Sequence, residues 1–136
     1  MRLTHEANKI IINQGDQSDT IYLVEEGELL VFVVDGSKVS PVATIGPGEI
    51  IGEMAFFAGT HRAAYVMTKT PTTLMEIDSE TIKDQIPDWL FKMTKNVVDR
   101  IHHLDKVIAK SGIKRKKVDS VKPLSIEEQR SILDLI

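Results

Sequence analysis

The sequence predicts a mainly β domain, a small barrel or jelly roll, followed by helices that end in one long one. Three observations predict it. Short apolar runs alternate with turn residues at roughly 8–12-residue intervals between residues 9 and 77. Seven of the eight glycines fall between Gly15 and Gly59, in the stretch that must turn most often. Beyond residue 78 the apolar spacing changes to that of a helix.

The strands read in order. "KIII" runs into "NQGD", and "TIYLV" ends at "EEGE". "LLVFVV" meets "DGSK", where Asp35-Gly36 suits a hairpin turn. "VATI" ends at "GPGE", "AAYVMT" leads to "KTPT", and "TLMEI" closes the series. Recurrent turns of this kind argue against alternating βαβ units. "DSETIKDQI" then opens a helix over about 79–86, with Asp78 or Ser79 as N-cap. Pro87 ends it and suits the first turn of the next. That next helix, about 88–110, carries Leu90, Met93, Val97, Ile101, Leu104 and Ile108 at helical spacing. Leu90, Val97 and Leu104 lie seven apart, but Arg100 interrupts the seam. Either a homodimer seam or a face packed on the barrel explains them. Ser111-Gly112 reads as a helix stop. "KRKKVDSVKP" reads as a basic linker, and "SIEEQRSILDLI" as a further helix with Ser125 and Glu128 forming a capping box.

Composition removes several classes of function. The chain has 136 residues, 42% hydrophobic and 27% charged, the profile of an ordinary globular domain. It has no apolar run long enough to span a bilayer and no signal-peptide pattern. Without cysteine it has no disulfide, thiolate metal site or thiol nucleophile, which fits a cytoplasmic protein. The four histidines, His5, His61, His102 and His103, form no metal-ligand spacing, and no Ser/His/Asp set stands out. We therefore expect no metal and no enzyme. A net charge of -3 argues against general nucleic-acid binding, and "KRKK" reads as a solvated linker.

One stretch does not fit a plain scaffold. "IIGEMAFFAGTHRAAYVMT", residues 50–68, sets Glu53 in an apolar run, with Arg62 nine positions later. A buried charge costs several kcal/mol, on the order of 3–5, unless it is paired. The two side chains either partner each other or await a ligand. A tight helical turn from Glu53 to about Phe57 would present unpaired N–H groups and a partial positive charge. Gly52 would let an anion approach the backbone. Arg62 offers a permanently charged, planar fork that suits phosphate, and Glu53 can accept from sugar hydroxyls.

The order Gly-Glu-apolar-Ala, then an arginine nine residues after the glutamate, then "AA", resembles the phosphate-binding cassette of cyclic nucleotide-binding domains. That family includes catabolite-activator-type regulators, protein kinase A regulatory subunits and cyclic nucleotide-gated channels. "IIINQGDQSDTIYLVEEGELLVFV" is similar to its early strands and corners. The likeness covers about residues 5–110 and implies a double-stranded β-helix, or jelly-roll, barrel over about 5–78 with a long helix behind it.

The resemblance implies a role for each matched residue. Glu53 receives the ribose 2′-hydroxyl and Arg62 pairs with the cyclic phosphate. Backbone N–H groups of Met54, Ala55 and Ala63 complete the cradle, Gly52 lines the ribose, and Ala64 completes the matched motif. From the long helix, Arg100, Ile101, His103 and Leu104 are the candidates to close over the base. Where relatives carry Ser or Thr, Ala63 has no hydroxyl for the guanine 2-amino group, so cAMP is expected over cGMP. The difference is about 0.5–1.5 kcal/mol, on the order of tenfold. Tyr65 is read as a barrel-filling aromatic or a neighbour of the base, and His61 as an exposed loop histidine.

The expected domain is 1–110, with 111–136 as linker and helix. Ligand binding would pass through the long helix to an effector beyond residue 136 or to a second subunit. The alternative is a scaffold or dimerisation module whose pocket binds nothing.

Overall fold

The computed structural model of the chain describes residues 1–111 and 122–136, the side chains of 102 and 104–111 excepted. Among the described residues, eight strands form two antiparallel sheets. They are β1 (Arg2–His5), β2 (Ile10–Ile12), β3 (Ile21–Glu26), β4 (Leu29–Asp35), β5 (Lys38–Ile45), β6 (Ile50–Ile51), β7 (Tyr65–Thr68) and β8 (Thr72–Ile77). One sheet has the order β1-β8-β3-β6 and the other β2-β7-β4-β5. This is the expected jelly roll. The chain passes from sheet to sheet at glycine corners. At Gly27, with φ +99°, a Cβ would lie 2.6 Å from the Pro71 carbonyl, so only glycine fits. β1 is a strand that the sequence reading passes over: its Arg2–His5 alternation is short, and only pairing with β8 defines it.

Alternation sorts each strand of the second sheet into two faces. Ile12, Leu29 and Val66 point inward and join Val24, Ile51 and Leu74 in the barrel core. Leu30, Phe32, Val39 and Met67 point outward and form a second buried cluster. Tyr65 belongs to this outer cluster, stacked on Phe32 at 5.2 Å between centroids. It neither fills the barrel nor approaches the cavity, because its neighbour Val66 takes the inward position.

Four helices among the described residues accompany the sheets: α1 (Glu53–Ala58), α2 (Ser79–Gln85), α3 (Asp88–Ser111) and α4 (Ile126–Leu133). Asp78 caps α2, accepting from the Glu80 N–H. Phe91 of α3 meets Phe56 and Phe57 of α1 at 5.8 and 5.6 Å between ring centroids, which ties the long helix to the short one. Val98, two turns on, is also buried. The opposite face carries Trp89, Met93, Val97 and Ile101, all exposed. Their i, i+4 spacing is a continuous apolar stripe.

The capping box at Ser125 and Glu128 forms as the sequence predicts. α4 then turns back onto the chain's own outer sheet face, where Ile132 is only 4% exposed. Residues 112–121, which hold Gly112 of the expected helix stop and most of the expected basic linker, lie outside the described residues. No helix among the described residues is long and apolar enough to cross a membrane.

Candidate functional site

A cavity of about 260 Å³ opens beside α1. Its wall is apolar: Ile12, Val31, Val42, Ile45, Ile51 and Val66, all from the barrel strands or the bulge in β5. One side is different. There Gly52, Glu53, Met54 and Ala55 enter from the start of α1, and Arg62, Ala63 and Ala64 from the segment before β7. Seven of the sequence-derived site residues thus line one cavity. Thr60 and His61 lie at its exposed rim.

Arg62 is only 5% exposed, yet it ion-pairs with no carboxylate among the described residues. It is held by backbone oxygen. Nη1 donates to the Gly52 carbonyl at 3.0 Å, and Nη2 to the Thr20 carbonyl at 2.6 Å and the Ser18 hydroxyl at 3.4 Å. These contacts use three of five N–H donors. Nε makes none of them. No buried side-chain nitrogen among the described residues lacks a partner, so Nε is reached by solvent. Burial pulls the guanidinium below its ordinary pKa, while Tyr22, Asp19, Glu53 and Asp16 push it back up. It remains charged at neutral pH, since arginine is effectively always protonated. A buried cation at a cavity, with N–H donors still unspent, lowers its free energy by receiving an anion.

The start of α1 supplies more donors. Gly52 sits at φ +89°, and its carbonyl accepts from both Phe56 N–H and Arg62. No side chain among the described residues caps the helix. The first N–H groups of α1 are therefore free to meet a ligand. Glu53, half-buried, adds an acceptor on the same wall. The two charges raised by the sequence share a cavity without bridging each other.

The structure does not bring the helix candidates to this cavity. Arg100, Ile101 and His103 are exposed on α3, Ile101 at 40%. Phe91 ties the start of α3 to α1 and Val98 is buried two turns on, but Arg100, Ile101 and His103 fall on the solvent side of the helix beyond them. Leu104 lies outside the described side chains. Ser18 and Thr20 are site residues that the sequence reading missed. They act from a loop 44 and 42 residues away in sequence, and Thr20 acts through its carbonyl, which no residue type announces. The strand alternation of Val31 and Val66 could have revealed the apolar wall. Among the described residues no group of three His, Cys, Asp or Glu side chains could hold a metal ion.

A jelly roll whose cavity joins a buried arginine, free helix N–H groups and a carboxylate defines a ligand-sensing domain. The family model for the "Cyclic nucleotide-binding domain" matches residues 2–87, and the chain belongs to that family. The cAMP-dependent protein kinase regulatory subunit of Emericella nidulans is 34% identical over 91 residues, covering 60% of this chain and 22% of that protein. The chain thus spans about a fifth of that relative's length. The regulatory domain of Toxoplasma gondii PKA, solved with cAMP, superposes with a TM-score of 0.63 at 28% identity, over 68% of this chain and 35% of that one. The Thermus thermophilus catabolite activator protein shares the fold, with a TM-score of 0.66 at 24% identity, over 83% and 54% of the two chains.

Proposed function

We propose that this chain is a cyclic-nucleotide sensor that binds cAMP in preference to cGMP through the cavity beside α1. The observation that carries this reading is Arg62: a buried cation, held in place by three oxygens, with N–H capacity left on a cavity. In the bound state Arg62 and the N–H groups of Met54, Ala55 and Ala63 hold the cyclic phosphate. Glu53 accepts from the ribose hydroxyl. The apolar wall of Val31, Ile45 and Val66 shields the contact from water, which strengthens it. Ala63 withholds the hydroxyl that guanine would use, which supports the preference for adenine.

The output runs through α3. A ligand shifts an equilibrium only by its differential affinity for two states. Here the two states are α3 as it stands, with Arg100, Ile101 and His103 in solvent, and α3 drawn toward the cavity about the Phe91 anchor. A coupling of about 1–3 kcal/mol is typical. The exposed stripe of Trp89, Met93, Val97 and Ile101 favours a second role for α3, the seam of a homodimer. The effector is a partner domain or protein that reads the position of α3.

Isothermal titration with cAMP and cGMP tests the binding, with Arg62→Ala as control. Saturable cAMP binding that Arg62→Ala abolishes is expected. A full cAMP response in that variant would overturn the phosphate assignment. Sedimentation of the chain with and without cAMP tests the dimer.

A further inference from the structure

We infer that α4 is an allosteric element, whose docking on the outer face of the second sheet and cyclic-nucleotide occupancy of the cavity favour each other. The inference rests on the cavity's being the nucleotide site. The sheet between the two is one layer thick, and its strands serve both sides. β4 sends Val31 to the cavity and Leu30 and Phe32 to the α4 cluster. β7 sends Val66 to the cavity and Tyr65 and Met67 outward. β2 divides Ile12 and Ile10 in the same way, and β5 divides Ile45 and Val39.

α4 does more than cover this face. β5 is the edge strand of its sheet, and the N–H of Val39 donates to Gln129 Oε1 at 3.1 Å. Gln129 in turn donates from Nε2 to the Leu124 carbonyl at 3.2 Å, which fixes its amide. Ile132 enters the apolar cluster one turn further on. The helix therefore satisfies an edge donor that would otherwise bond to water, and locks the outward side chains of every strand in the sheet. Close-packed layers transmit such constraints. With α4 seated, the cavity wall is held ready. With α4 released, the wall must be ordered by the ligand itself, and affinity falls. Linkage makes the effect reciprocal: nucleotide tightens the α4 seat by the same factor.

The occupant is the chain's own α4, and two full-length variants test this. Ile132→Asp sets a carboxylate in the apolar cluster and unseats the helix. Gln129→Ala removes the edge bond together with the Gln129–Leu124 bond, leaves the apolar contacts of Ile132 in place, and serves as the milder variant should Ile132→Asp fail to fold. Hydrogen exchange at the Val39 amide reads the docking, and calorimetric titration with cAMP reads the cavity. We expect Ile132→Asp to speed Val39 exchange at least tenfold and weaken cAMP binding at least fivefold, with Gln129→Ala moving both in the same direction. Saturating cAMP should slow Val39 exchange in the unaltered chain. Unchanged cAMP affinity in a variant whose Val39 amide has been exposed would overturn the linkage. Protection of Val39 that falls on dilution would assign the seat to a second copy's helix and overturn it too. A flat titration of the unaltered chain is a different failure, that of the nucleotide reading.

Discussion

Arg62 donates from Nη1 to the carbonyl of Gly52 at 3.0 Å, and a Cβ on Gly52 would lie 2.6 Å from that same nitrogen. The glycine that opens α1 and the arginine that faces the cavity are thus fitted to each other. The same Cβ would meet the Thr20 carbonyl at 2.6 Å, a backbone atom with little room to move. Gly52→Ala therefore combines left-handed strain of about 1–2 kcal/mol with a clash on the site's cation. A melting temperature lowered by several degrees and loss of cAMP binding are the expected outcomes, checked by calorimetry.

Charge alone does not replace the guanidinium. Arg62→Lys keeps the cation but cannot reach the Gly52 and Thr20 carbonyls in two directions at once. The carbonyl left unmet costs about 1–3 kcal/mol of stability. Affinity for cAMP should fall at least tenfold, read by titration beside a thermal melt.

Base preference should respond to one hydroxyl. Ala63 lies at the cavity, exposed at its mouth. Ala63→Thr adds a hydrogen-bond partner for a guanine amino group and should raise cGMP affinity about tenfold while leaving cAMP within about threefold. Competition titrations give the ratio directly. An unchanged ratio would remove Ala63 from the specificity argument.

The aromatic anchor sets where α3 lies. Phe91→Ala removes a half-buried ring from contact with Phe56 and Phe57. The expected cost is about 2 kcal/mol, below the range for a fully buried phenylalanine. Trp89, the only tryptophan and 66% exposed, sits two residues away. Its emission should shift when cAMP binds the unaltered chain, and the shift should shrink in Phe91→Ala.

The seat of α4 should depend on pH at the acid end. Glu128 accepts from the Ser125 N–H at 3.1 Å, and its own N–H donates to the Ser125 hydroxyl. The Ser125 N–H, and after it the Ser125 hydroxyl, favour the ionised carboxylate and hold its pKa below the ordinary value. A depressed folded pKa contributes stability above the unfolded pKa, and that contribution is lost as pH falls through the folded one. Val39 exchange should therefore quicken from about pH 5 downward, beyond its intrinsic pH trend. Glu128→Gln should flatten that extra dependence.

Much of this protein was legible in the amino-acid order. Short apolar runs broken by turn residues roughly every 8–12 positions announced the sheets, because a strand crossing a small barrel must turn at each end. A glutamate and an arginine nine apart in an apolar run announced the cavity, because charges are not buried without cause. Ser125 and Glu128 announced a helix start, because capping is a local bond. What tertiary structure alone decided depends on groups distant in sequence. The Thr20 carbonyl holds Arg62, Phe91 packs α3 on Phe56 and Phe57, and Tyr65 faces α4 because Val66 faces in. α4 returns to its own barrel for the same reason. An apolar helix face records that it will be buried but not against what, and the exposed edge of β5 supplied the answer.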